Sequence, residues 1–548
     1  MTLAKALFHK SLFRSALLTC ALLGVSACAG DGQTQRVSTD SRRLEPMIVD
    51  GLNLTAMNQV LVRGFSEIKD RMIEEPDMDR LFMAALEGMS KIDPEVSIGI
   101  VGGRVKVRRE HDDGSDAVEL GDAGVMPTGP TRGSIPQWSR VTLAAILVAR
   151  QSSPLFHDAD AEDFYTAAFT TALAKIDPYS HYSSRRDAVR TRLVRDGVIG
   201  LGIRVVSQDD GAQVQAIVAE GPGEKAGLEI NDTIVAADGR KLGKMPFAEL
   251  RRTLDGSVDT MVSLTVKRAG VAELFTIIAK RELIVPDTVT AKNLDGVAEL
   301  KIRSFNQRTA AAVERAVLAM RAENNGKLKG IILDFRSDPG GLLDQAVDMS
   351  GLFLDSGAII SLDGRHPGAK QYYAATGRDI APGVPIAIIV DGRTASAAEI
   401  VAAALQDQRR AVVVGTGTLG KGSVQTVVRL PNGGEMGLTW AHATTPRGAA
   451  LHGLGVLPDV CLTGLSGPTL GQAIGFINAG INPSAEVRRR WRQPADSLEA
   501  HASLRAACPA EAHLDRDIDT EVARKLLAEP TLLARLVTPA DPQLANKP

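Results

Sequence analysis

PIAIIVDGRTASAAEIVAAALQDQRRAVVVG, residues 385–415, is the stretch on which the fold turns. It opens on an unbroken apolar run, Ile386–Val390, with the composition of a strand buried on both faces. A polar loop follows. Ser396 then heads a segment of Ala, Glu, Ile and Leu, Ser396–Gln406, that favours helix. A second apolar run, Val412–Val414, returns as strand. Strand, helix and strand in immediate succession predict α/β layering.

The alternation continues on either side. Upstream, Val297–Ile302 and Ile331–Phe335 read as strands, with Arg308–Ala322 and Leu342–Phe353 as helices. Downstream, Val424–Leu430 reads as strand, and Asn432-Gly433-Gly434 turns the chain into Met436–Trp440. Before this core, residues 196–284 form a β-rich module, with strands at Ile203–Val206, Val214–Val218, Thr233–Ala236, Met261–Lys267 and Leu274–Ala279 and one helix, Pro246–Leu254. Residues 47–195 carry mainly helical patterning. Two amphipathic segments there, 78–95 and 161–180, both end in Lys-Ile-Asp-Pro, where proline stops the helix; the shared ending fits either a duplication or coincidence. Asp112–Ser134 between them reads as loop. The core runs over 285–464, and 465–548 form an extension ending in helix near Glu521–Leu536.

The 548 residues suffice for several domains, and a 44% hydrophobic content supplies a sizeable core. Lys plus Arg number 63 against 65 Asp plus Glu, a balance that gives no electrostatic footprint for nucleic acid. Residues 1–27 have the layout of an export signal: Lys5, Lys10 and Arg14 precede a short apolar run, Ala16–Val25. That run is too short to span a bilayer. Small residues lead into Cys28, as in a bacterial lipobox, so Cys28 is the candidate lipid acceptor; cleavage at an ordinary small-residue site beside it is the other reading. Residues 28–46 are a polar tether. An exported location permits a disulfide between Cys461 and Cys508, and two separate buried thiols remain the alternative.

Three segments carry chemistry: Ser337-Asp338-Pro339-Gly340-Gly341, Ser396 at its helix start, and Lys421 between Gly420 and Gly422 with Gln425 four residues on. A serine hydroxyl needs a base, and none of the nine histidines sits in a recognisable catalytic motif. A lysine can serve if burial keeps its amine neutral. Gln425 would orient that amine. The N–H of Ala397, at a helix N-terminus, would face a developing oxyanion, with Gly340 or Gly341 supplying a second donor. No metal and no organic cofactor are required.

These segments resemble the carboxy-terminal processing, or tail-specific, peptidases. That family's Gly-rich N-P-G-G loop, S-A-S-A-S-E nucleophile segment and F-G-K-G-x-V-Q lysine segment appear here in order as SDPGG, TASAAE and LGKGSVQ. The resemblance places the nucleophile on Ser396, the lysine on Lys421, 25 residues later, and the third member on Gln425, with Asp407 supporting. IDPYSHY (176–182) and TTPRGAALHGLGVLPDV (444–460) are similar to further family segments. Asp338 stands where the family has Asn, Thr394 and Ala398 replace serines, and Leu419 replaces Phe. The order Gly200-Leu201-Gly202-Ile203, GPGEKAGLEINDTIVAADGRKL (221–242), then FAELRRTL resembles a PDZ domain, whose Gly-rich loop meets a peptide's terminal carboxylate. The implied fold is multi-domain α/β: helical N-terminal region, PDZ module, a layered core like crotonase and Clp protease, and a helical tail. The implied activity is endopeptidase cleavage of exported proteins. Partners would be protein substrates with free C-termini and an activating adaptor, and the membrane would be met through the lipid alone.

Two other readings compete with this one. GTGTLGKG (415–422) nearly matches a phosphate-binding loop, but Gly422 stands where the Mg²⁺-binding hydroxyl belongs, and the sequence after it reads as strand where a helix must open. The other is a catalytically silent PDZ scaffold, against which the joint presence of Ser396 and Lys421 argues.

Overall fold

The computed structural model describes residues 47–110, 118–127, 134–218, 221–464, 470–478, 485–491, 498–513 and 517–537. The expected leader, Cys28 and the tether lie outside the described residues.

The apolar runs of the core assemble a six-stranded sheet in the order Val289–Leu294, Val297–Ile302, Gly330–Asp334, Ile386–Val390, Ala411–Gly415, Val460–Cys461. The first pair is antiparallel and the other neighbours are parallel. Gly330–Asp334, Ile386–Val390 and Ala411–Gly415 are buried along their whole lengths. Strands covered on both faces have no polar side to present, hence their unbroken Ile, Val and Leu.

Successive residues serve two different cores. Ile331, Leu333, Ile388 and Val413 pack with Val313, Val317, Met349, Val401 and Leu405 of the helices Thr309–Glu323, Leu343–Gly351 and Ala397–Asp407. Ile332, Ala387, Ile389, Val412 and Val414 pack with Ala473, Val522, Leu526 and Leu527. The latter belong to Leu470–Asn478 and Asp517–Ala528. The C-terminal extension therefore roofs the far face of the core sheet. Each large aliphatic side chain it covers is worth roughly 1.5–3 kcal/mol of burial. The expected single tail helix is two, Asp517–Ala528 and Pro530–Val537, divided at a proline.

A second sheet runs Gln371–Ala374, Ala358–Asp363, Glu435–Thr444, Ser423–Arg429, all antiparallel, with His181–Ser183 paired onto Glu435–Gly437. That last pairing brings the IDPYSHY segment to the core. The PDZ-like module has the strand order Phe275–Lys280, Met261–Lys267, Thr233–Ala237, Ala212–Ile217, Ile203–Ser207. Leu250 and Leu254 of the helix Phe247–Leu254 close its core over Val214, Ile234 and Leu264. Val198–Gly200 pairs with Glu282–Ile284, so the module enters and leaves through one small ladder.

The N-terminal region holds the expected helices, Leu54–Arg71, Met78–Gly88, Ser134–Ser152 and Ala161–Ala174, around a cluster of Phe65, Phe82, Trp138 and Phe169. It also holds an antiparallel sheet, Val96–Val101, Arg104–Arg109 and Val118–Val125, which corrects the reading of this stretch as helix and loop. Gly102 and Gly103, at φ +57° and +73°, form the two-residue hairpin turn. Val96, Ile98, Val105 and Val107 alternate into the core.

Candidate active site

The strand Ile386–Val390 delivers the chain to a tight loop organised by Asp391. Its carboxylate accepts the N–H groups of Ser337 (2.9 Å), Arg393 (3.0 Å), Thr394 (3.0 Å) and His513 (3.1 Å). Ser396 then adopts φ +56°, ψ −117°, a region that a residue with a side chain enters only when its surroundings force it, at a cost of about 1–3 kcal/mol. Such a turn between strand and helix lifts a serine hydroxyl clear of the backbone. Ser396 is half-buried between fully buried Ala395 and Ala397.

Glu399 ties this turn to the lysine loop. Its Oε2 accepts the N–H of Ser396 at 2.7 Å and the N–H of Lys421 at 2.9 Å. Its Oε1 accepts the Gly420 N–H at 2.7 Å and the Thr418 hydroxyl. The carboxyl is completely buried. Burial pushes its pKa up, against these four donors. The Leu419 N–H adds a bond to the Thr394 carbonyl, 3.0 Å. In sequence Glu399 reads as the last residue of TASAAE, and Ser-x-x-Glu at a helix start is also a capping-box signature.

Lys421 is half-buried, and burial holds its ammonium below the ordinary range, with the Glu399 charge pulling the other way. Its Nζ lies 5.4 Å from the ring centroid of Tyr179, in the IDPYSHY segment. A Cβ on Gly422 would fall 2.0 Å from His452 N, so only glycine lets the loop pack this closely. His452 stacks on His442, 4.5 Å between ring centroids. The sequence after the lysine is the strand Ser423–Arg429, as read. The Gln425 amide nitrogen reaches Ser423 Oγ (3.1 Å) and Thr439 Oγ1 (3.3 Å) rather than the lysine amine. Thr439 is held in turn by Asp177 and Ser180. Asp407, at the far end of the Ser396 helix, accepts the Arg447 N–H (3.1 Å).

The Gly-Gly loop lies directly against the serine: a Cβ on Gly340 would sit 2.8 Å from both Ser396 Cβ and Ala397 N. The two glycines are not equivalent. The Gly340 N–H donates to Asp338 Oδ1 at 2.8 Å, which removes it from the expected oxyanion donors. A parallel bridge between Phe305 and Gly341 engages the Gly340 carbonyl and the Leu342 N–H and leaves the Gly341 N–H without an acceptor among the described residues. The Ala397 N–H likewise has none.

Behind both loops runs a segment of the C-terminal extension. Cys461 and Cys508 form a disulfide, which resolves the two alternatives left by the sequence. From there the chain bonds into the site's back wall. The Glu511 carbonyl accepts the Gly392 N–H (2.7 Å) and the Thr416 hydroxyl (2.9 Å), and Arg505 donates to the Leu454 carbonyl (2.9 Å).

In the PDZ-like module, Gly202 has φ +69° and Leu201 is buried in the module's core. The Leu201 and Gly202 carbonyls accept from Gly223 and Val218, both at 2.7 Å. The N–H groups of the same two residues have no acceptor among the described residues. Gly200 lies in the closing ladder, and Ile203 begins the next strand. No helix among the described residues is long and apolar enough to cross a membrane.

Residues 296–462 match Peptidase family S41, and residues 200–278 match the PDZ domain family. A carboxy-terminal-processing protease of Bartonella bacilliformis is 34% identical over 298 residues, 54% of this chain and 68% of that protein. The chain belongs to the carboxy-terminal-processing protease family. Another relative, the carboxy-terminal processing protease CtpA of Bacillus subtilis, is 34% identical over 286 residues, 52% of this chain and 60% of that one. Among solved structures, a photosystem II D1 C-terminal processing protease is 26% identical and aligns over 63% of this chain and 92% of its own, with a TM-score of 0.34. Family membership fixes a serine-type peptidase with a PDZ domain in a multi-domain α/β framework.

Proposed function

We propose that this chain is an endopeptidase of the bacterial cell envelope that cleaves exported proteins through an acyl-enzyme on Ser396, with Lys421 as general base. The observation that carries this is the shared anchor: one oxygen of Glu399 receives the backbone N–H of both Ser396 and Lys421. The depressed lysine pKa supports it further, because a neutral amine is what a base requires. Lys421 takes the proton from Ser396 Oγ as Oγ attacks the scissile carbonyl. The N–H groups of Ala397 and Gly341 receive the oxyanion. The lysine returns the proton to the leaving amine, and water then releases the acyl group by the same route. Each oxyanion donor is worth roughly 3–4 kcal/mol of barrier. Gln425 and Asp407 act at a distance, the first by fixing the strand after the lysine and the second by fixing the end of the serine helix.

The free N–H pair at Leu201 and Gly202 suits a peptide's terminal carboxylate, so the PDZ domain would deliver or gate substrate C-termini. Lipidation of Cys28 and an adaptor that activates the enzyme belong to the same proposal. The test is digestion of an unstructured protein ending in apolar residues. Wild type should cleave it, while Ser396→Ala and Lys421→Arg should not, since arginine supplies no neutral base. Equal cleavage by Lys421→Arg would overturn the lysine's role.

A further inference from the structure

Asp338 is a carboxyl group in an unusual place. It is fully buried in the loop against Ser396. One oxygen accepts the Gly340 N–H, 2.8 Å, and the other has no partner. Its backbone joins the two halves of the site, because the Asp338 carbonyl accepts the Ala395 N–H, 2.9 Å, one residue before the serine. We infer that Asp338 is a positioning residue that works as a neutral carboxylic acid, and that its ionisation disables the oxyanion site at alkaline pH. This rests on the Ser396–Lys421 reading above.

The physical case is an asymmetry between the two protonation states. As an acid, Asp338 presents one buried O–H without an acceptor, a modest cost. As a carboxylate it would present a buried charge that a single backbone N–H offsets, a far larger one. The charged groups on every packed segment are already committed. Asp334 pairs with Arg336 at 2.6 Å, and Arg336 also lies 3.6 Å from Asp519 on the C-terminal helix, which contacts His513 at 3.1 Å. Asp391 and Glu399 hold the donors already described. None of these groups, nor Arg393 or Lys421, hydrogen-bonds the Asp338 carboxyl; burial raises its pKa and the Gly340 N–H opposes it. Burial wins and pushes the carboxyl up to about 8. Below that pH the loop is neutral, and the Gly341 N–H, which has no acceptor among the described residues, is left to meet the oxyanion. Above it, a negative charge sits beside the place where the oxyanion must form, and like charge raises the barrier.

The resulting pH profile has two limbs of different origin. The acid limb rises as Lys421 loses its proton, and the alkaline limb falls as Asp338 loses its own. Asparagine keeps the shape and the acceptor but cannot ionise. The experiment compares kcat/KM on β-casein across pH for wild type, Asp338→Asn and Asp338→Ala, with Ser396→Ala as control. Difference infrared spectra of wild type against Asp338→Asn, recorded at pH 7, read the protonated carboxyl directly. Asp338→Asn should keep the acid limb and lose the alkaline one, outrunning wild type about tenfold one unit above the midpoint. Asp338→Ala, which strips Gly340 of its acceptor, should be impaired at every pH. The infrared difference should show a protonated carboxyl. Survival of the alkaline limb in Asp338→Asn, or an ionised carboxyl at pH 7, overturns the inference while leaving the peptidase reading intact. Absence of Ser396-dependent cleavage at any pH overturns both.

Discussion

Glu399→Gln is the sharpest probe of how the site is held. The carboxylate serves four donors, two on each oxygen: Ser396 and Lys421 N–H on Oε2, Gly420 N–H and the Thr418 hydroxyl on Oε1. A glutamine of the same size keeps one oxygen and offers an NH₂ in place of the other. Its better orientation turns the NH₂ toward Thr418, whose hydroxyl can rotate to accept, and abandons the Gly420 N–H. One buried donor without an acceptor costs about 1–3 kcal/mol, and loss of charge assistance in the remaining bonds adds about 1 kcal/mol. The expected penalty is therefore ~2–4 kcal/mol, concentrated in the loop that carries Lys421. Urea unfolding in a Ser396→Ala background, free of self-cleavage, measures the stability. Steady-state cleavage by the single variant should show kcat down at least about tenfold with KM unchanged, because substrate contacts are untouched. A variant within about 0.5 kcal/mol of its parent and cleaving at full rate would refute the claim that Glu399 couples the two loops.

Other outcomes follow from neighbouring features. On the acid side, log kcat/KM should climb with a slope of one per pH unit below the folded pKa of Lys421. That pKa lies below the ordinary lysine value, so the neutral fraction grows as pH rises toward it; a flat profile there would exclude the amine as base. The disulfide closes a loop of 47 residues, worth about 4 kcal/mol on chain-entropy grounds. Cys508→Ser, or reduction of wild type, should lower thermal stability and depress cleavage, with recovery on reoxidation of the wild type. Unchanged activity after complete reduction, checked by thiol counting, would show that the segment behind the loops needs no tether.

The core was legible because its signals are local. Ile386–Val390 and Val412–Val414 announce doubly covered strands by composition alone, and Ser396 and Lys421 fall on the loops that such strands feed. What escaped depends on direction or on distant partners. Nothing in Gly340-Gly341 says which of the two N–H groups faces Asp338; that follows from backbone angles. Glu399 was visible as the fourth residue of a capping box, but its second duty, toward Gly420 and Lys421, joins segments that only the fold brings together. The sheet at 96–125 is masked in sequence by the two helical segments that flank it, although the alternation in Arg-Val-Lys-Val-Arg-Arg and the Gly102-Gly103 turn mark a hairpin. The role of the extension after Gly464 is not legible in sequence, because its apolar helix face carries no sign of the sheet it covers.

That extension has a bearing on timing. The back wall of the Ser396 and Lys421 loops is built from Glu511 and His513, and the far face of their sheet is sealed by Leu526 and Leu527. A chain delivered from N- to C-terminus thus presents Ser396 and Lys421 long before the pieces that brace their loops. The blade is forged early and hafted last, so, on the proposed Ser396–Lys421 reading, a half-delivered copy is poorly equipped to attack its neighbours.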